Sequence, residues 1–244
     1  LMAVGIGISG LILSLLLGYP LSLNPYGLFS GVLWAAANII ALLAIATLGL
    51  SRAVPIIASL IIILSFLWGA LVFNELPSGL LVGFSGIGLI ILGVVLISII
   101  GKTGSKNIKK GLLATVSAGV IWGSQWVPLK MGNVSTADFF FPVCLGIFVS
   151  GLIIFVLKRE KFKKEAVKES LLSGLIWNIG NLLSLIALSL IGLSKMGPIS
   201  QSATLVAVLW GVFYFKEVTG LRSKLQVLIG AVVLLVGVGV LSFA

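Results

Sequence analysis

Gly31-Val-Leu-Trp34-Ala-Ala-Ala-Asn38 returns 143 residues later as Gly174-Leu-Ile-Trp177-Asn-Ile-Gly-Asn181. The same register carries Gly49-Leu-Ser-Arg52-Ala-Val-Pro55 onto Gly192-Leu-Ser-Lys195-Met-Gly-Pro198. With a slip to 142 residues, Trp68-Gly69 and Phe73-Asn-Glu75 fall on Trp210-Gly211 and Phe215-Lys-Glu217. Three correlated blocks in one register are hard to obtain from apolar composition alone. The chain therefore reads as an internal repeat, with one half at 1–105 and the other at 106–244.

What lies between these blocks is almost wholly apolar. Of 244 residues, 59% are hydrophobic and 9% charged, against about 25% charged in soluble domains. A surface that poor in polar groups needs lipid as its solvent. Uncharged runs long enough for a membrane helix, about 20 residues, fall near 1–18, 27–49, 54–74, 79–100, 111–129, 139–157, 170–191, 197–215 and 225–243. Barrel strands would be about ten residues long with alternating hydrophobicity, so the expected class is all-α, a polytopic membrane helix bundle of nine spans.

A repeat unit of five spans is odd, so its second copy enters the membrane from the opposite side. The loop charges agree. Counting alternate connections, fourteen Lys and Arg lie on one side, which is placed in the cytoplasm, and only Lys130 and Lys195 on the other. Arg52 and its repeat partner Lys195 thus fall on opposite sides. Inverted repeats around a midplane site characterise secondary transporters. The repeat also leaves the 111–129 span without a partner, which predicts a further helix ahead of Leu1 and a protein of ten spans.

Composition narrows the chemistry. The chain has no histidine and a single cysteine, Cys144, so neither a metal, a cofactor nor a disulfide framework is expected. With no buried acid pair either, an enzyme is not expected. The net charge of +10 sits in short loops as an orientation signal and not as a nucleic-acid surface.

Polar groups inside spans are costly and tend to face a bundle interior or a cavity. Here they are neutral. Trp34 and Asn38 continue the stripe of Gly27 and Gly31, and Trp177 and Asn181 continue that of Ser170 and Gly174. Trp122, Gln125 and Trp126 share another face beside Ser124, and Ser200 with Gln201 a third. Amides and indole rings suit a neutral, hydroxyl-rich solute, though an intramembrane amide also serves as interhelical glue worth about 0.6 kcal/mol. Trp68 and Trp210 read as an interface belt. Pro55 and Pro198 are expected in the first turns of their helices. If protons are coupled, the candidate carboxylates are Glu75, Asp138 and Glu217, whose simpler readings are solvated helix ends and, for Asp138, a helix cap.

The motifs Gly174 to Asn181, Gly192-Leu-Ser through Ser200-Gln201, Gly211-Val-Phe-Tyr-Phe215-Lys-Glu217 and Gly119-Val-Ile-Trp122-Gly-Ser124-Gln-Trp-Val-Pro128 resemble the drug/metabolite transporter superfamily. Within it they are most similar to the glucose/ribose porter family of sugar uptake proteins and the transmembrane protein 144 group. The resemblance implies a ten-helix basket with a central cavity in a prokaryotic plasma membrane, and sugar uptake that is often proton-coupled. Partners are then a small solute, lipid and protons. Alternatives are a metabolite or amino-acid exporter of the same superfamily and a non-transporting membrane receptor or scaffold.

Overall fold

A computed structural model describes residues 1–75, 79–98, 107–158, 166–203, 206, 209–216 and 220–244. Its regular elements are helices: α1 (Met2–Leu17), α2 (Pro25–Leu48), α3 (Leu50–Leu67), α4 (Leu80–Ser98), α5 (Ile108–Gly123), α6 (Val127–Met131), α7 (Thr136–Lys158), α8 (Val167–Ile191), α9 (Leu193–Ser200) and α10 (Leu221–Ser242). Helices dominate because lipid offers the backbone no hydrogen bonds, so each segment must satisfy its own. Among the described residues, seven helical spans are long and apolar enough to cross a membrane, and Met2–Leu17 is apolar but shorter. Side chains such as Leu16, Leu81, Leu157 and Leu190 point outward, which is favourable only against hydrocarbon.

Local chemistry places the helix ends. Gly18 takes the left-handed conformation at φ 67° and donates to the Leu15 carbonyl, while Tyr19 N–H reaches the Ser14 carbonyl at 2.8 Å. This closes α1 in a Schellman arrangement. Asn24 Oδ1 accepts the Tyr26 N–H at 3.0 Å and Pro25 opens α2, the expected cap-then-proline order. Pro55 and Pro198 differ from the first-turn expectation. Both lie inside their helices, because Gly49 and Gly192 place the chain breaks further upstream.

The repeat is written in the backbone as well as the sequence. Gly49 and Gly192 break the chain at φ 83° and 77°. Trp68–Val72 and Trp210–Tyr214 are both π-helical turns. Asn74 and Lys216 then take positive φ, 51° and 52°, a conformation rare without glycine. Matching sequence thus imposes matching local geometry in both copies.

The chain gathers into two compact units, Leu1–Ala36 with Gln125–Leu190, and Ala37–Ser124 with Ile191–Ala244. Each takes helices from both halves of the sequence. In the first, glycines bring backbones together in repeat-related pairs. A Cβ at Gly31 would collide with the α7 backbone at Val143 and Ile147, and one at Gly174 with the α1 backbone at Met2, Gly5 and Ile6. In the second unit, α4 packs along its repeat partner α10. Gly93 meets Gly230 and Leu234, and Gly86 meets Gly237 and Leu241, so the two run antiparallel. Opposite direction in repeat partners is what an inverted repeat requires. Small residues permit such approach where lipid removes any hydrophobic drive between helices. Around them lie Ile62, Phe66, Ile90 and Leu241, fully or almost fully buried.

Candidate functional site

In the first unit, the repeat-related tryptophans Trp34 of α2 and Trp177 of α8 meet with ring centroids 4.4 Å apart and planes tilted by 52°. Trp34 is buried and Trp177 half-buried. The next residue of α8 centres a polar cluster. The Asn178 amide nitrogen donates to the Ile6 carbonyl at 3.3 Å and to Ser9 Oγ at 3.0 Å. Its carbonyl oxygen accepts the Cys144 thiol at 3.2 Å and the Asn181 amide at 3.4 Å. One side chain therefore joins α1, α7 and α8. Asn181 is buried as well, and its own carbonyl oxygen makes no hydrogen bond.

Gln125 and Trp126 occupy a break in what composition reads as one span. α5 stops at Gly123 and α6 restarts at Val127. Pro128 accounts for the interruption, since it has no N–H to offer the carbonyl of Ser124 four residues back. Gln125 is buried and its backbone carbonyl accepts the Ser30 hydroxyl at 2.7 Å; Trp126 packs on Phe139 at 6.3 Å. Discontinuous helices of this kind expose backbone groups that transporters use at their sites.

The second unit holds the remaining sequence-predicted solute contacts. Asn38 is half-buried on α2, and half-buried Trp122 packs on the Ala44, Ala53, Ile57 and Ala118 core. Ser124 Oγ accepts the Trp68 indole N–H at 3.1 Å, so Trp68 is anchored to the α5 terminus beyond any belt role. Trp210 is 52% exposed. Ser200 Oγ donates to the Gly197 carbonyl at 2.7 Å, and Gln201 donates to Ser200 Oγ at 3.4 Å.

The three carboxylates part ways. Glu75 is no solvated terminus: its Oε2 accepts the Ser194 backbone N–H at 2.8 Å, and the carboxylate lies against Gly69 and Gly192. It therefore occupies the positive end of α9, where an anion is favoured. Asp138 sits in the first turn of α7, and the cap itself is Ser135. The Ser135 hydroxyl accepts the Asp138 N–H at 3.1 Å and donates to its carboxylate at 2.6 Å. Glu217 lies outside the described residues.

Asn178 and Ser9 were not among the expected site residues. A signal was available, since Gly174, Asn178 and Asn181 stand at i, i+4 and i+7 and share a face. The repeat hid it, because position 178 pairs with an alanine, Ala35.

These features define a multi-pass integral membrane protein whose buried polar groups are mainly neutral amides and hydroxyls. The family described as "Sugar transport protein" matches residues 2–244, and the chain belongs to it, a family of transporters and not of enzymes. It is 27% identical over 225 residues to the glucose uptake protein GlcU of Bacillus subtilis, covering 89% of this chain and 78% of that one. It is 26% identical over 226 residues to the "probable glucose uptake protein GlcU" of Priestia megaterium, with 89% and 78% covered. Bacterial relatives of this kind place the protein in a prokaryotic plasma membrane.

Proposed function

We propose that this protein takes up a sugar across the plasma membrane by alternating access of its repeated halves, 1–105 and 106–244. Family membership and the printed names of its relatives support the solute class. The structural observation that supports the reading is that α8 of the first unit carries both Trp177, stacked on Trp34, and the hydrogen-bonded amides Asn178 and Asn181. Indole faces cover the C–H faces of a sugar ring, and amides pair with its hydroxyls. Trp34, Gln125, Trp126, Trp177 and Asn181 are then solute contacts of one unit, and Asn38, Trp122, Ser124, Ser200 and Gln201 of the other.

If protons drive uptake, Glu75 is the favoured carboxylate. Its bond to the α9 N-terminus makes helix position depend on its charge, whereas Asp138 is engaged in a local cap. The test is uptake of labelled glucose, ribose and other monosaccharides into proteoliposomes, with and without an imposed proton gradient. Saturable uptake of at least one sugar is expected, and accumulation with the gradient supports coupling. Absence of uptake across the panel sinks the reading.

A further inference from the structure

Most buried hydroxyls in the described helices return their proton to the backbone, Ser194 of the second unit being one exception. Ser9, Ser59, Ser65 and Thr115 donate to carbonyls three or four residues back, and Ser30 to the Gln125 carbonyl. Ser14 does not. Its side chain is fully buried, yet Oγ makes no hydrogen bond. An unpaired buried hydroxyl is costly, and buried polar atoms are rarely left so.

The register between α1 and α8 says what it faces. Gly174 packs on Met2, Gly5 and Ile6, and one turn later Asn178 meets Ile6, Ser9 and Gly10. Residue numbers rise together along the two helices, so the helices are parallel. Ser14 is one turn beyond Gly10, and Asn181 one turn beyond Asn178. The next level of this seam therefore carries both Ser14 and Asn181, and both present a buried oxygen without a partner. Asn178 cannot relieve either, because its two donors and its carbonyl are already engaged by Ile6, Ser9, Cys144 and Asn181. The network is complete up to Asn178 and ends open at Asn181.

We propose that Ser14 Oγ and Asn181 Oδ1 form a buried subsite for a neutral hydroxyl group, either that of the transported sugar or that of an ordered water. The hydroxyl donates to the Asn181 carbonyl, which can only accept, and exchanges a second bond with Ser14, which can donate and accept. Only the sugar arm rests on the proposed function; the subsite itself does not.

The experiment is thermal denaturation of the full chain and its variants, with and without sugar. Ser14→Ala removes a group that makes no bond within the fold. With nothing bound there, the melting temperature stays or rises; with the subsite occupied it falls, by about 2–4 °C for a chain of this size. Asn181→Leu, which keeps the bulk but removes both the open acceptor and the bond donated to Asn178, serves as the second variant and should fall further than Ser14→Ala. Sugar protection of the wild type that weakens at least five-fold in Ser14→Ala assigns the subsite to the solute. A fall in melting temperature with unchanged sugar protection assigns it to water. An unchanged or raised melting temperature for Ser14→Ala together with unchanged sugar protection overturns the proposal. A wild type that carries no sugar, with Ser14→Ala destabilised, keeps the subsite and overturns the sugar reading.

Discussion

Glu75 and Ser194 stand 119 residues apart in sequence, yet the carboxylate of one holds the backbone N–H of the other at 2.8 Å. Glu75 closes the π-helical turn that ends the α3 span, and Ser194 opens α9, the repeat counterpart of α3's own beginning. The bond thus ties the end of a segment in one repeat copy to the start of its equivalent in the other.

Replacing Glu75 with Ala should cost about 1–2 kcal/mol of stability, the usual worth of a helix cap with a charged acceptor. Glu75→Gln keeps an acceptor oxygen and should lose less than half as much. Comparative melting of the two purified variants measures this. Equal losses would show that the negative charge at the α9 N-terminus, and not a neutral acceptor bond to Ser194, carries the stability.

The glycines divide sharply. A Cβ at Gly93 would meet the α10 backbone at Gly230 and Leu234, whereas one at Gly88 or Gly180 meets nothing. Gly93→Ala should destabilise by about 1–3 kcal/mol through overpacking. Gly88→Ala and Gly180→Ala should stabilise by about 0.5–1 kcal/mol, the helix-propensity gain. Folded yield and melting temperature of the three variants are the readout.

Asn178→Ala deletes the residue joining α1, α7 and α8. Intramembrane hydrogen bonds average about 0.6 kcal/mol, so the loss of four should total about 1–2 kcal/mol after relaxation. The variant should remain membrane-inserted yet unfold earlier. A melting temperature within error of the wild type would count against the cluster as a fastener.

Trp177→Phe preserves an aromatic face against Trp34, and Trp177→Ala does not. If the pair covers a sugar ring, KM for uptake should rise about ten-fold in Trp177→Ala and less than three-fold in Trp177→Phe. This corresponds to about 1.4 kcal/mol of binding. Unchanged KM in Trp177→Ala would place the pair in packing alone.

Legibility in the sequence differed by residue type. Spans were readable because lipid demands a continuous apolar run, a one-dimensional property. The repeat was readable from Trp34/Trp177, Gly49/Gly192 and Trp68/Trp210, and the same positions carry matching torsions and π-helical turns. The break at Ser124–Trp126 was less legible. The sequence reads 111–129 as one span with Pro128 near its end, and nothing in it tells that α5 stops at Gly123. Glu75 read as a solvated end because nothing local reveals that residue 194 arrives beside it.

By itself, the sequence determined the solvent, the helical class, the repeat and its inversion. Each follows from composition, period or the odd number of spans, and none needs to know which helix meets which. Tertiary structure alone decided the pairing of Glu75 with Ser194, the centrality of Asn178 and the open hydroxyl of Ser14. A hydrogen bond depends on distances of a few tenths of an ångström between helices remote in sequence. Glycine-lined contacts such as Gly31 on Val143 and Gly174 on Gly5 set those distances, and no local pattern encodes them.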